Sequence, residues 1–125
     1  MDDARRQAGL AKVRELYGDD RGLAPAEAPP ESAPYVEATV DHLFADLWAR
    51  PGLSVRDRRL ITLGIVAAMG RRDVAETQLV GALLAGDLDS EQVGEIVLHV
   101  AHYAGWPNGQ ALHAAARAAV DRVSA

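Results

Sequence analysis

Apolar residues recur three and four positions apart over most of the chain, which is the spacing of helices that bury one face. No stretch shows the strict alternation of apolar and polar residues that is typical of a half-buried strand. The pattern predicts an all-α fold of about six helices, at residues 4–17, 35–49, 54–69, 73–85, 89–105 and 107–124.

Glycine and proline separate these helices. Gly18, Gly70 and Gly86 each follow the last turn of a predicted helix, and residues 18–34 hold four of the six prolines. Proline-rich sequence favours an extended path, so we expect an extended arm over 18–34, followed by a helix that Ser32 caps. An N-cap residue with a partner three positions later predicts three more helix starts: Ser54 with Asp57, Asp73 with Glu76, and Asp89 with Gln92.

The segment LITLGIVAAMG, residues 60–70, is apolar on every side of its helix. A helix with this pattern is expected to be buried all round, and it is too short for a bilayer, which requires ~20 apolar residues. A chain of 125 residues builds only a modest core, so we expect a homo-oligomer to cover part of this helix. We interpret residues 1–125 as a single domain.

Composition and charge exclude several classes of function. The net charge is -5, whereas nucleic-acid-binding surfaces carry an excess of basic residues. The chain has no cysteine, which excludes disulfides, thiolate metal sites and thiol redox chemistry. The first residues are charged and lack the apolar run of a signal peptide. We therefore predict a cytoplasmic protein with neither nucleic acid nor a membrane as partner.

A narrow polar strip runs along the otherwise apolar fifth helix. It consists of Gln92, Glu95, His99 and His102. His99 borders the apolar side, and Glu95 lies one turn before it, where its carboxylate would orient the imidazole. His99 is open to two interpretations, a site residue or a structural histidine, whereas a solvated face is favoured for Glu95 and His102. In a further alternative, Glu95, His99, His102 and His113 bind one metal ion.

An arginine cluster and two tryptophans are further candidates. Residues 56–59 read Arg-Asp-Arg-Arg at the start of a helix. Charged residues in such a group usually form a solvated face, but one arginine that points inward would hold a carboxylate through paired hydrogen bonds. Trp48 and Trp106 flank Pro or Gly breaks and are typical packing anchors. The sequence contains no Gly-rich phosphate loop and no serine nucleophile elbow.

Three segments resemble the carboxymuconolactone decarboxylase family: LWARPGLSVRDRRLITLGIVAAMGR at 47–71, ALLAGDLDSEQVGEIVLH at 82–99 and YAGWP at 103–107. The lead-in AGLAKVRELYG at 8–18 is similar to the family's N-terminal helix. The resemblance implies an all-helical fold shared with alkylhydroperoxidase D-like proteins, assembled as a homo-oligomer, either a trimer or a hexamer. It also implies a lyase that uses no cofactor.

In the reaction that the resemblance implies, a small carboxylated lactone such as gamma-carboxymuconolactone loses carbon dioxide. The loss leaves a dienolate, to which a proton returns. By the matched positions, the resemblance implies that Arg58 binds the carboxylate or the enolate and that His99 transfers the proton. It implies that Asp46 is a second acid or an orienting group. Four further residues are expected to contact the substrate: Gln78, Tyr103, Trp106 and Trp48.

The sequence departs from the family pattern at several positions. Gln78 stands where the decarboxylases and their peroxidase relatives usually have a histidine, and glutamine exchanges no proton near neutral pH. The peroxidases also need a Cys-x-x-Cys pair, whose positions here hold Arg71 and Val74. The position of their catalytic glutamate holds Arg59. We therefore expect no peroxidase activity.

Three functions stay open at this point. The leading hypothesis is a carboxy-lyase of aromatic-compound catabolism that uses neither cofactor nor metal. The first alternative is a diverged isomerase or cyclase that makes a specialised metabolite. The second is a non-catalytic, oligomeric binding protein that has lost a catalytic histidine at the position of Gln78.

Overall fold

The structure, a computed structural model, describes residues 3–125. Within them the chain forms six α-helices and no strand, which confirms the predicted all-α fold. The helices are α1 (Asp3–Tyr17), α2 (Ala33–Ala38), α3 (Val55–Ala68), α4 (Arg72–Ala85), α5 (Ser90–Ala104) and α6 (Trp106–Ser124). None of the helices in this range has both the length and the apolar content needed to cross a membrane. The chain divides into two compact units, one that ends at Ser54 and one from Val55 to Ala125.

In the N-terminal unit, α1 packs against a π-helix at Thr39–Leu47 that continues α2. The prediction of one regular helix over 35–49 is wrong here, because the hydrogen bonds reach back five residues. The N–H of Trp48, for example, donates to the carbonyl oxygen of Leu43 at 3.0 Å. An apolar spacing over nine residues does not distinguish this wider turn from an α-helix.

The proline-rich segment before α2 is irregular, apart from one 3₁₀ turn at Pro25–Glu27. The helix that follows begins at Ala33, earlier than predicted, with Pro34 in its first turn, where the missing N–H is not needed. Ser32 makes no side-chain capping hydrogen bond, so that predicted cap is wrong. The start of α2 therefore relies on the backbone angle that proline fixes.

In the C-terminal unit, α4 and α5 both pack along α6, and α3 contacts all three. The shared core consists of leucine, valine and alanine side chains, which include Leu63, Leu79, Ala82, Leu112, Ala115 and Ala119. Small residues at many of these positions let the four helices approach closely, so the core of the unit consists largely of short side chains.

Two helix ends in this unit follow local sequence signals. Gly86 ends α4 in the left-handed conformation, with φ 77°. Asp89 and Gln92 form the predicted capping box: the Gln92 N–H donates to the Asp89 carboxylate at 2.8 Å, and the Asp89 N–H donates to the Gln92 side-chain oxygen at 3.0 Å. The predicted cap at Asp73 is wrong, because α4 begins before it. Asp73 instead accepts hydrogen bonds from the Arg71 guanidinium, which lowers the pKa of Asp73.

The helix that was expected to be buried all round, α3, is buried on one side. Leu63 and Ala67 lie in the core, whereas Ile61, Ile65 and the nearby Met69 are 52%, 55% and 66% exposed. The prediction of complete burial is wrong for the single chain, because a four-helix unit leaves an outer side on its helices. An exposed apolar stripe of this kind is typical of protein interfaces, and the homo-oligomer stays a prediction.

Two glycines in the α5–α6 pair predict opposite responses to alanine. A Cβ added at Gly109 would overlap the Cβ of Ala101, whereas nothing lies within 4 Å of a Cβ added at Gly94. We expect Gly109→Ala to lower the free energy of unfolding by about 1–3 kcal/mol through overpacking. We expect Gly94→Ala to raise it by about 0.5–1 kcal/mol. Urea denaturation measures both, and changes of the same sign would contradict this packing of α5 on α6.

Candidate functional site

One side of α5 borders an open groove of ≈ 670 Å³, the α5 groove, which contains two of the predicted site residues. Its lining consists of Glu95, Leu98, His99, His102 and Tyr103. The imidazole of His99 stacks on Tyr103, with ring centroids 5.0 Å apart and planes at 27°. The Nδ1 of His102 lies 2.8 Å from the carbonyl oxygen of Leu98. The α5 groove thus offers two imidazoles, a phenol and a carboxylate to a ligand.

The predicted proton carrier lies on an open surface. His99 is exposed, and the ring that it contacts, Tyr103, is 85% exposed. Glu95, expected to orient the imidazole, is exposed in the same groove. The stack with Tyr103 thus joins two exposed rings on the same helix.

The metal-site alternative is wrong for the residues on which it depended. Within residues 3–125, no group of three or more His, Cys, Asp or Glu side chains is placed to hold a metal ion. Three of the four residues line the α5 groove, but His113 lies on α6 and lines a different cleft. Helical spacing alone therefore did not bring the four side chains to one point.

A second groove of ≈ 500 Å³ shares Glu95 with the α5 groove. Its lining combines the start of α3 with the first half of α5: Arg56, Leu60, Glu91, Gln92, Glu95 and Ile96. Arg56 is thus the arginine of the 56–59 cluster that lies beside the polar strip. Arg58, the predicted carboxylate ligand, is partly buried on the same helix and lines neither of these two grooves.

The C-terminal unit encloses a charged cluster around one inward arginine of residues 56–59, whose partners were not predicted. The side chain of Arg59 is fully buried, and its Nε donates to the Asp87 carboxylate at 2.9 Å. Its Nη1 donates to the side-chain oxygen and to the carbonyl oxygen of Gln78, both at 3.4 Å. Gln78 is only 3% exposed. Because a buried charge needs a partner, Asp87 and Gln78 together hold the guanidinium inside the unit.

One signal for this cluster was present in the sequence. Arg59 lies four residues before Leu63 and eight before Ala67, so it shares the buried side of α3 with them. This spacing identifies Arg59 as the inward arginine of the 56–59 cluster. Asp87 gave no comparable signal, because it lies in the turn after α4, 28 residues from its partner.

The two tryptophans lie in different surroundings. Trp106 begins α6, is 63% exposed, and meets the ring of His102 edge-on, with centroids 5.7 Å apart. It lines a cleft between α5 and α6 and not the α5 groove itself. Trp48, at the end of the π-helix, is 8% exposed. Trp106 is therefore accessible to a ligand in this structure, whereas Trp48 is largely enclosed.

Asp46, the third predicted catalytic residue, lies on the π-helix of the N-terminal unit. Its carboxylate is 3.6 Å from the Nδ1 of His42 and 3.8 Å from the guanidinium of Arg5. One turn earlier, the buried Asp41 accepts hydrogen bonds of 3.2 and 2.8 Å from Arg6, which raise the pKa of Arg6. These pairs tie α1 to the π-helix, so Asp46 belongs to a charged surface cluster within its own unit.

The family model for carboxymuconolactone decarboxylases matches residues 33–119 of this chain. The chain belongs to the carboxymuconolactone decarboxylase family. A 4-carboxymuconolactone decarboxylase of Acinetobacter baylyi is 33% identical over 73 residues, which are 58% of this chain and 54% of that protein. A nitrosuccinic acid decarboxylase of Metarhizium robertsii is 35% identical over 83 residues, 65% of this chain and 56% of that protein. The chain thus spans just over half the length of these relatives.

Membership of the carboxymuconolactone decarboxylase family confirms the resemblance seen in the sequence. Two departures from the family pattern are neighbours in the structure. Gln78 replaces the expected histidine and Arg59 stands at the position of the peroxidases' glutamate, and these two side chains are in contact. Gln78 and Arg59 therefore form one buried, hydrogen-bonded arrangement, with Asp87 as the counter-ion of the guanidinium.

Proposed function

We propose that this chain catalyses the cofactor-independent decarboxylation of a small carboxylated lactone such as gamma-carboxymuconolactone. The observation that supports this most is the match of residues 33–119 to the family, with two relatives that are both named as decarboxylases. The acids in those names share one chemical property, since loss of carbon dioxide leaves an electron pair that a carbonyl or nitro group accepts. Catalysis then requires carboxylate binding, stabilisation of the delocalised anion and one proton transfer.

The proposed mechanism gives one role to each of two residues of the C-terminal unit. Arg58 binds the substrate carboxylate or the developing enolate. When the bond to the carboxylate carbon breaks, its electron pair passes into the lactone π-system, and His99 returns a proton to carbon. The exposed ring of His99, which stacks on Tyr103, supports this role because it is accessible to a substrate.

The proposal includes a homo-oligomer, because the α5 groove is open in one chain and enolate stabilisation is stronger where water is excluded. The apolar stripe of Ile61, Ile65 and Met69 provides a surface on which a second copy would bury apolar area. Full activity from a chain that sediments as a monomer would contradict this part of the proposal.

A turnover assay with gamma-carboxymuconolactone tests the function, and two arginine variants test the mechanism. We expect Arg58→Ala to lower kcat/KM about 10–100-fold, because it removes a charged hydrogen bond to the carboxylate. Arg56→Ala, two residues away on the same helix, is the matched control and is expected to change kcat/KM less than threefold, about the noise of such a comparison. The assay follows loss of the lactone and formation of the enol-lactone.

Each failure in this assay has a separate meaning. If Arg56→Ala lowers kcat/KM more than Arg58→Ala does, Arg56 is the residue that binds the carboxylate. Arg56 lines a groove together with Glu95. No turnover above background by folded wild-type protein would contradict this substrate, and nitrosuccinic acid is then the next acid to test.

A non-catalytic binding protein is the second candidate, and one observation favours it. The side chain of Gln78, at the position where the family is expected to have a histidine, is held by the buried Arg59. An inert wild type that gains decarboxylation through Gln78→His would support the loss of an ancestral activity. An active wild type would contradict this candidate directly.

A further inference from the structure

Facing stripes of α5 and α6 border a cleft of ≈ 320 Å³, the α5–α6 cleft. On each helix the lining residues follow the i, i+3, i+4, i+7 spacing of one face. They are Gly94, Val97, Leu98 and Ala101 on α5, and Trp106, Gly109, Gln110 and His113 on α6. Facing stripes of packed helices normally interdigitate and leave few voids. The gap between these two stripes is open to solvent, since Gly94, Gln110 and His113 are exposed.

Small residues at two places account for this gap. The helices touch at Gly109 and Ala101, where a Cβ added to the glycine would overlap the alanine. Two turns earlier on α5, a Cβ added to Gly94 would meet no atom within 4 Å. The backbones are thus held together at one point, while the space beside Gly94 stays empty. All of the residues that line the α5–α6 cleft lie on helices.

The lining indicates the chemistry of a ligand. The walls are apolar, with Val97 and Leu98 on α5 and the indole of Trp106 on α6. The polar side chains are Gln110 and His113, both of which donate hydrogen bonds, and no carboxylate is among the lining residues. Such a cleft favours a flat apolar body that carries an anionic acceptor at one end.

We propose that the α5–α6 cleft is a second ligand site that binds a small aromatic carboxylic acid. The ring of the acid lies between Trp106 and the apolar side chains of α5, and its carboxylate accepts hydrogen bonds from Gln110 and His113. A volume of ≈ 320 Å³ is at the small end of ligand sites, which limits the acid to one or two rings. Since Leu98 lines both this cleft and the α5 groove, the second site adjoins the proposed catalytic one.

Calorimetric titration of the full chain with 2-naphthoate tests the proposal. We expect saturable binding that persists in His99→Ala, so that the result does not depend on the proposed catalysis. In a Trp48→Phe variant, Trp106 is the one remaining tryptophan, and its fluorescence is expected to change over the same concentration range. Absence of saturable binding, or of a change at Trp106, would overturn the assignment.

A matched pair of variants locates the ligand. We expect Gly94→Leu to weaken 2-naphthoate binding about tenfold or more, because the new side chain occupies the empty space. Gly94→Ala is the control, and it is expected to bind within about twofold of wild type. Equal affinities of the two variants would overturn the proposal. So would a change in sedimentation caused by Gly94→Leu, since the cleft would then be an interface between copies.

The polar end of the cleft has its own test. We expect His113→Leu to weaken 2-naphthoate about tenfold while it leaves the neutral analogue 2-naphthylmethanol within about twofold. This difference isolates the interaction with the carboxylate from contacts with the ring. If His113→Leu weakens the binding of both compounds equally, His113 does not bind the carboxylate and that part of the proposal is overturned.

Discussion

Arg59→Ala is expected to lower the free energy of unfolding by about 3–5 kcal/mol, the largest stability effect that this structure predicts. The substitution removes a fully buried guanidinium and leaves two partners behind. Gln78 would then keep a buried side-chain amide whose oxygen has lost its donor, which is costly because water does not reach it. Asp87 is 26% exposed, so water replaces part of its lost interaction.

Urea denaturation at neutral pH measures this loss, with the slope of the transition as a check that the unfolded state is unchanged. Arg71→Ala is the matched control, since Arg71 also pairs with an aspartate but is exposed at 53%. We expect Arg71→Ala to lower the free energy of unfolding much less than Arg59→Ala does, because water screens an exposed ion pair. A cost for Arg59→Ala no greater than that of the control would show that the buried pair contributes little.

A double variant separates the charge from the packing. Arg59→Met with Asp87→Asn removes both charges and retains most of the side-chain volume. Buried ion pairs replaced by packed residues are often neutral for stability, whereas a broken pair is costly. We therefore expect the double variant to be more stable than Arg59→Ala. The opposite order would mean that methionine does not restore the packing that is lost with the Arg59 side chain.

Local sequence signals predicted the elements whose cause is local. The capping box of Asp89 and Gln92 involves atoms three residues apart, and the left-handed end at Gly86 needs only the absence of a Cβ. Both were found where the sequence predicted them. The apolar period likewise predicted all four helices of the C-terminal unit, because helices that bury one face repeat that face every three to four residues.

The elements that were missed depend on distant partners. Asp41 is buried on the π-helix because Arg6, 35 residues away, pairs with it. Arg59 is buried because Asp87 and Gln78 surround it. A charged residue on an apolar face gives the same local sequence pattern whether it is buried beside an oppositely charged partner or exposed to water. Helical spacing therefore located Arg59 on the right side of α3 but did not reveal what it meets.

The candidate site shows the same limit. A helical wheel placed Glu95, His99 and His102 on one strip of α5, and all three line one groove. The wheel did not show that Tyr103 stacks on His99, since that contact depends on side-chain rotamers. A solvated face was favoured for Glu95 and His102, and both are exposed, whereas the exposure of His99 was left open because it depends on the packing of the other helices.

His99→Ala is expected to lower kcat for gamma-carboxymuconolactone about 10²–10⁴-fold, the range for loss of a positioned acid or base. The proposed reaction has one proton transfer to carbon, and alanine provides no group for it. KM is expected to change little, because carboxylate binding is assigned to Arg58. The reason for a larger effect on kcat than on KM is that proton transfer occurs in the transition state and not in the bound substrate.

His102→Ala is the matched control for this prediction. His102 lines the same groove, one turn from Leu98, and its Nδ1 lies against the Leu98 carbonyl oxygen, so the ring is already engaged by the backbone. We expect its loss to lower kcat less than about tenfold. If His102→Ala has the larger effect, His102 is the proton carrier and the ring stack on Tyr103 has a structural role. If neither variant lowers kcat, proton transfer lies outside the α5 groove, and the acid cluster around Asp46 becomes the site to test.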